Sequence, residues 1–580
     1  MKQTLQKLWK LLKTDKWVHY GILLVLGILL SISILDMQLS NTHDAFIHLQ
    51  RINGDYKMIG QGQFPPMIID NYCNGDGYNM NVFYSPLVTY IPLLIKLFTS
   101  TGILALKIFA MICIILSGFT MYQWIYAVTK KRGIALLAGI MYLLMPYKME
   151  DYYIRYAIGE FAAFIFMPLV FLGLHNLLYE SRKKHYYIAI GAIGLLLCHN
   201  ITTLYTAIFA FIYLICHIRK LQDNNVLKAI GINVIWIVLC TAFYIVPMLE
   251  TKSEAEYGIF NDSLMSTNNE YLAEHALDPI QFFVDIEEAT DSVSFKIGIP
   301  TLLLTISSIY CFRKVDKRYR KTYGILLIFA LISLWMATKW FPWQYVPVIL
   351  CKLQYAWRMV GFFIFFITPV CAINAYILIQ NLLRKESIKS IAYILVVLAF
   401  LIGIIPFYQR AYINANTPNV YRQPDEEYEK SLKNELSHFS TNREYLPLQA
   451  LEHQSDYMLK REDKIYVLEG QATIQDENKH SLTMEANLEK VEKQTILEFP
   501  FIFYPGYEVT LETNGSEQKL ETVCSEYGYV SVQIPEDIEQ AKIHITYQGT
   551  VLTKISYILS FTAFVFFIIY ILYARRRDKE

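Results

Sequence analysis

Apolar residues in this chain come in long blocks, separated by short basic segments on some boundaries and long mixed ones on others. Such blocks lie near 17–35, 102–127, 133–148, 159–179, 186–199, 201–218, 227–249, 297–312, 322–337, 358–381, 388–407 and 551–573. A helix needs roughly 20 mostly apolar residues to cross a bilayer, and fewer where it is broken or buried among other helices. The pattern therefore predicts a polytopic α-helical membrane protein with about twelve spans, of which 186–199 is the shortest. The segment 85–99 carries Pro86, Pro92 and Lys96 and reads as a re-entrant or interfacial helix instead.

The distribution of cations orients these spans. Lys130-Lys131-Arg132, Arg182-Lys183-Lys184, Arg219-Lys220, the stretch Arg313 to Lys321, Arg384-Lys385 and Arg575-Arg576-Arg577 all fall on one side of a twelve-span arrangement. Short loops rich in Lys and Arg stay in the cytoplasm. Both termini are thus expected inside, and the long loops 36–101, 250–296 and 408–550 outside. The first 16 residues place Leu5, Leu8, Trp9 and Leu12 on one helical face and most lysines elsewhere, the pattern of a helix lying on the cytoplasmic surface. No small-x-small cleavage site follows the first apolar run, which reads as a retained anchor.

Residues 420–548 change period. Lys464-Ile465-Tyr466-Val467-Leu468 and Tyr529-Val530-Ser531-Val532-Gln533-Ile534 alternate, and Asn514-Gly515 and Tyr527-Gly528 supply turns. This is the signature of a small antiparallel β domain, sandwich-like and extracytoplasmic. The expected organisation is a surface helix (1–16), a membrane domain (17–407) with its principal outer loop at 36–101, the β domain (408–550), a last span (551–573) and a basic tail (574–580).

Composition agrees with lipid as the main solvent: 54% of the residues are hydrophobic and 18% charged, against about one quarter charged in soluble domains. A net charge of +1 gives no field that would attract nucleic acid. Most of the nine cysteines sit in apolar runs and behave as small hydrophobes. Only Cys73 and Cys524 lie well inside long outer segments, where a disulfide is conceivable but not required. No internal repeat of the kind common in transporters is visible.

The first outer loop is where chemistry concentrates. It opens with His43-Asp44-Ala45-Phe46-Ile47-His48-Leu49-Gln50-Arg51, and a helix there would align Asp44, His48 and Arg51 on one face. Gly75-Asp76-Gly77-Tyr78 and Phe83-Tyr84-Ser85-Pro86-Leu87 follow. The bland alternative is a solvated loop in which Asp44 only caps a helix.

The His-Asp-x-x-x-His-x-x-Arg pattern after the first span, the Gly-Tyr…Phe-Tyr-x-Pro-Leu segment and Phe503-Tyr504-Pro505-Gly506-Tyr507 in the β region resemble bacterial YfhO-like proteins. They also resemble the related membrane proteins named after a 6-pyruvoyl-tetrahydropterin synthase-related domain. These in turn resemble GT-C glycosyltransferases, which use polyprenyl-phosphate sugar donors at the outer membrane face. The pterin label carries no functional weight, since no soluble three-histidine zinc site is visible. The resemblance implies a bacterial cell-membrane enzyme of the hexosyltransferase class with Asp44 as its catalytic residue and His43 beside it. It implies a polyprenyl-phosphate-linked sugar as donor and an extracytoplasmic glycan or lipid as acceptor, with teichoic or lipoteichoic acid among the candidates.

That role is chemically sensible. An acceptor hydroxyl needs a carboxylate base as it attacks an anomeric carbon, and the departing lipid phosphate needs cations at the membrane boundary. Arg155 in the outer loop Asp151–Glu160 and Arg358 at the start of a span are candidates, with the interfacial anchor as the alternative role for each. Glu160 and His199, at span ends on the same level, complete the candidate donor site, although His199 also suits a helix cap. Arg51, Tyr78 and Tyr84 are candidates for acceptor contact or loop support. Asp44, His43 and Glu160 raise the question of Mg²⁺ or Mn²⁺, which a pyrophosphate donor would favour and a monophosphate would need less. His175 and His217, near cytoplasmic helix ends, read as structural. Two other readings stand beside the enzyme: a lipid-linked saccharide transporter or flippase, and a non-catalytic cell-envelope assembly factor whose β domain binds wall polymer or a partner. The sheet, with Glu469-Gly470-Gln471, Tyr504 and Tyr507, suits carbohydrate binding and equally a plain lid.

Overall fold

The structure is a computed structural model and describes residues 15–32, 42–70, 72–180, 184–262, 264–265, 267–285, 293–415, 444–453, 457–458 and 460–577. Most of the expected N-terminal surface helix lies outside the described residues.

Each of the twelve apolar runs falls largely in helix over its described residues. Among the described residues six helices are long and apolar enough to cross a membrane: Gly102–Thr129, Ile158–Tyr179, Asn224–Glu254, Met359–Leu382, Glu386–Ala415 and Val551–Arg577. The others are shorter, for local reasons. The run 133–148 ends as helix Arg132–Leu143 and restarts at Pro146, because proline lacks the N–H that would continue the ladder. The run 297–312 breaks at Ser307 into Ile299–Ile306 and Ser308–Cys311. The pair Tyr187–Cys198 and Asn200–Ile215 is divided by His199 alone, held extended at φ −159°. The segment 85–99 forms the ten-residue helix Leu87–Lys96, too short to cross a membrane by itself.

Hydrogen bonds sort the helix ends into two groups. At one end Tyr179 meets His217 (2.6 Å), Lys321 donates to the Cys216 carbonyl (2.6 Å) and Arg575 donates to Tyr186 (3.4 Å). At the other, Asn200 donates to Tyr244 (2.7 Å), Thr550 donates to Glu250 (2.7 Å), and the Asp44 amide donates to the Arg155 carbonyl (2.9 Å). Among the described residues the segments of Lys321 and Arg575 thus lie at the first end, and those of Asp44, Arg155, Glu250 and Thr550 at the second. His217 and His175 lie at the first end as expected, with His217 bonded to Tyr179 and to the Tyr213 carbonyl.

The β domain is two antiparallel sheets facing each other. Its strands are β1 (Tyr466–Glu469), β2 (Thr473–His480), β3 (Thr483–Val491), β4 (Ile496–Ile502), β5 (Tyr507–Thr513), β6 (Ser516–Leu520), β7 (Thr522–Cys524), β8 (Tyr529–Gln533) and β9 (Ile538–Tyr547). One sheet runs β1-β4-β8-β7 and the other β2-β3-β9-β5-β6. Asn514 and Gly515 make the two-residue turn between β5 and β6, both at positive φ (51° and 76°), a conformation those two residue types accept most readily. The preceding helix runs to Ala415, several residues beyond the boundary at 407 expected from hydropathy.

Cys73 and Cys524 are separate free thiols. Tyr504 and Tyr507 are buried rather than displayed for carbohydrate: Tyr504 donates to the Tyr445 carbonyl (2.9 Å) and stacks on Tyr257, while Tyr507 packs on Phe501. The Tyr-Pro-Gly-Tyr segment is an internal contact surface.

That surface faces the first outer loop. Asp76 enters the sandwich, where its carboxylate accepts from Tyr529 (2.9 Å) and pairs with Lys479 (3.1 Å), and its carbonyl accepts from the Ile502 amide (2.9 Å). Burial nevertheless pushes the Asp76 carboxyl up to about 6. Ser481 donates to Asp70 (2.8 Å), which also pairs with Lys57 (2.9 Å). The β domain thus clamps the loop that carries the candidate chemistry.

Candidate active site

The loop's helix, Ala45–Gly60, has Asp44 at its N-cap position, yet the Asp44 side chain makes no capping hydrogen bond. The Thr42 hydroxyl accepts from the Ala45 amide instead (3.3 Å). The bland reading of Asp44 therefore fails on geometry. Backbone bonds from His43 and Asp44 to the carbonyls of Ile154 and Arg155 (3.4 and 2.9 Å) bring the helix start against the loop that carries Arg155.

A cavity of about 420 Å³ opens there, and Asp44, Tyr84, Arg155, Glu160, His199 and Arg358 all line it. Those positions span more than half of the chain, and the helix bundle brings them together. Helix Pro146–Glu150 passes into the five-residue π turn Asp151–Arg155, and Tyr156 then takes a left-handed φ of 55° that turns the chain into helix Ile158–Tyr179. Glu160 thereby stands in the first turn of that helix, facing Arg155. Arg155 Nη1 donates to Glu160 Oε2 (3.1 Å), to Tyr147 (3.2 Å) and to Asp151, with its guanidinium 4.5 Å from the Trp357 ring. Tyr147 donates to the other oxygen of Glu160 (2.8 Å).

Arg358 approaches from another element. Its Nη1 donates to the Leu353 carbonyl (3.0 Å) and to Gln354 (2.7 Å), and its Nε lies 3.7 Å from Glu160 with no hydrogen-bond partner among the described residues. It is a half-held cation beside a void, which a pure interfacial anchor would not require. His199 acts as the cap its position suggested, accepting from the Thr202 amide at Nδ1 (3.4 Å), and its ring borders the cavity as well. A Cβ on Gly159 would lie 2.9 Å from the Cys198 carbonyl, so only glycine lets this corner close.

His43, Arg51 and Tyr78 lie around the cavity rather than on it. His43 is exposed one residue before Asp44. Arg51 is fully buried behind Tyr84, with its guanidinium 4.1 Å from that ring and Nη2 reaching Asn81 (3.5 Å). Asn81 in turn donates to Asp55 (2.7 Å), whose carboxyl burial raises to about 7. Tyr78 accepts from the Tyr445 amide (3.2 Å) in the core shared with the β domain. Arg51 and Tyr78 thus support the loop. His48 lines the cavity, and burial lowers its pKa to about 3, which keeps it neutral.

Four participants escaped the sequence reading: Tyr147, Asp151, Glu444 and Tyr445. Tyr147, Asp151 and Arg155 are spaced by four, and that spacing was available as a signal. Glu444 and Tyr445, from the chain entering the β domain, also border the cavity, and no local pattern marks them.

Electrostatically, burial raises the Asp44 carboxyl above its ordinary range while Arg155, His43 and Arg358 pull it back. A carboxylate tuned upward suits a base. The Glu160 oxygens are engaged by Tyr147 and Arg155, and among the described residues no three His, Cys, Asp or Glu side chains converge as a metal site.

A larger cavity of about 880 Å³ lies between helices Ile299–Ile306 and Glu386–Ala415. Leu303, Leu304, Leu395, Phe400 and Phe407 line it, with Lys296 and Arg410 at its polar margin. Arg410 pairs with Glu150 (3.4 Å), which immediately precedes the Asp151–Arg155 turn.

A family model described as "6-pyruvoyl-tetrahydropterin synthase related domain; membrane protein" matches residues 82–411, over half of the chain. The match includes Tyr84, Arg155, Glu160, His199 and Arg358 and begins after Asp44. An uncharacterized protein of Lactococcus lactis subsp. cremoris (strain MG1363) is 23% identical over 568 residues, covering 90% of each chain. Among solved structures, the arabinofuranosyltransferase AftD from Mycobacteria superposes with a TM-score of 0.46 at 12% identity, over 72% of this chain and 28% of that one. The oligosaccharyltransferase of Archaeoglobus fulgidus in its apo form superposes with a TM-score of 0.38 at 13% identity, over 75% of this chain and 61% of that one.

Proposed function

The chain belongs to the membrane-protein family described by the 6-pyruvoyl-tetrahydropterin synthase related domain, and within it we propose that this member is a glycosyltransferase. It transfers a sugar from a polyprenyl-phosphate donor to an acceptor outside the membrane, with Asp44 as base.

The observation that carries this reading is the single cavity in which an uncapped, upward-tuned carboxylate faces two arginines. Asp44 takes the proton of the acceptor hydroxyl as its oxygen attacks the anomeric carbon. The bond from that carbon to the donor phosphate breaks, and its electron pair leaves on the phosphate oxygen. Arg358, with an Nε free of hydrogen bonds, meets that developing charge. Arg155 is held by Asp151, Glu160 and Tyr147, so its guanidinium is oriented before substrate arrives. The apolar cavity beside Arg410 has the lining a prenyl chain requires. With one base and no second carboxylate assigned as nucleophile, transfer proceeds with inversion, and a retained product configuration would refute that mechanism.

The test is direct. Purified protein in detergent is offered a panel of radiolabelled undecaprenyl-phosphate sugars, and native chain is compared with Asp44→Asn. Donor turnover by the native chain, lost in the variant at equal expression, is the expected result. Equal turnover by both removes Asp44 from the site, and no turnover of any donor with binding intact in both favours a transporter or assembly factor.

A further inference from the structure

Two helices that border the Asp44 site, Ile158–Tyr179 and Tyr187–Cys198, also border a cavity at their far ends. Helix Ile158–Tyr179 has Glu160 in its first turn and Asn176 in its last, and its 22 residues rise roughly 33 Å, about the thickness of a hydrocarbon core. At the Asn176 end a cavity of about 600 Å³ opens among the start of helix Lys16–Ser31, the end of Gly102–Thr129, the start of Arg132–Leu143 and the segment entering Tyr187–Cys198.

Four cations line it: Lys16, Lys130, Arg132 and Lys184. One lining carboxylate opposes them, Glu180, and Lys130 already holds it at 2.9 Å. Among the described residues Lys16, Arg132 and Lys184 form no ion pair. The Arg132 guanidinium lies 5.8 Å from the Tyr126 ring, and the Lys16 ammonium lies 4.9 Å from that of Trp17. Basic residues and aromatic rings occur at any cytoplasmic interface. Here, however, they come from four separate segments and converge on one half-open cavity.

We propose that this cavity binds the phosphate headgroup of one anionic membrane lipid. A phosphate diester matches the uncompensated positive charge. The aromatic walls formed by Tyr20, Tyr126 and Tyr187 suit the boundary where a headgroup meets its acyl chains. Exposed Trp17 at the rim places that boundary. The site is independent of the transfer reaction and lies about one bilayer core away from it.

The full chain, purified in neutral detergent, is incubated with mixed micelles containing either phosphatidylglycerol or phosphatidylcholine, and retained lipid is counted by native mass spectrometry. One phosphatidylglycerol per chain is expected in preference to phosphatidylcholine. Arg132→Gln with Lys184→Gln should lower that retention roughly fivefold for each cation removed. Should the double variant unfold on heating earlier than the native chain, exposed Lys16→Gln serves with the same readout. Equal retention of the two lipids, or retention unchanged in the variants, overturns the proposal. Complete displacement by millimolar inorganic phosphate would assign the site to a free anion and overturn the lipid as its ligand.

Discussion

Arg155 and Arg461 are both buried arginines bonded to a buried carboxylate, and their surroundings give them different work. Arg461 pairs with Glu498 inside the β domain, enclosed by the rings of Tyr466 (4.4 Å), Tyr529 (4.5 Å) and Tyr457 (5.3 Å). Arg155 pairs with Glu160 and Asp151, with one ring beside it, and borders a cavity that also receives Asp44 and Arg358. Burial and an ion pair do not by themselves mark a site. A charge cluster packed by side chains organises a fold; one that faces an enclosed space has capacity left for a substrate.

The difference can be broken from the packed side first. Arg461→Met leaves Glu498 buried without its partner and should cost about 3–5 kcal/mol of β-domain stability. Thermal unfolding would show it, and an unshifted midpoint would mean that the pair is already relaxed by water. Because the domain clamps the first outer loop through Asp76 and Ser481, the same variant should expose that loop to protease.

On the open side, Asp44→Asn should lower donor turnover by about 10²–10⁴-fold with unfolding unchanged. A matched loss of stability would class Asp44 with Arg461. Arg358→Gln should lower turnover by about 10²-fold and also move the pH dependence. The base works ionised, so turnover falls as pH drops through the Asp44 pKa, which burial has already raised. Arg358 is one of the charges holding that pKa down, so its removal should shift the acid limb to higher pH. A rate loss with the limb unmoved would separate Arg358 from Asp44. The smallest effect is expected from Tyr78→Phe. It removes the acceptor of the Tyr445 amide and should weaken loop docking by about 1–2 kcal/mol, measurable as faster hydrogen exchange at Tyr445.

Much of the site was legible because intramembrane and interfacial charges are rare against an apolar background. Arg155, Glu160, His199 and Arg358 stood out for that reason, and Asp44 stood out by its motif. Tyr147 was hidden because a tyrosine near a span end is ordinary for an interfacial belt. Glu444 was hidden because it lies in a polar stretch whose composition matches any solvated linker. The burial of Tyr504 and Tyr507 was not legible, since alternation tells which residues share a face but not which face another segment covers.

Where the apolar blocks lie, which segments carry the basic residues and where the period changes from helix to strand are legible in the chain pattern alone. These follow from local transfer free energy and local backbone geometry, which need only neighbours in the chain. Tertiary structure alone decided that residues as distant as Asp44 and Arg358 share one cavity, that Asp44 is left uncapped, and that the β domain closes on the first outer loop. Those outcomes depend on which helix faces meet and which polar groups find partners, and no single segment contains that information.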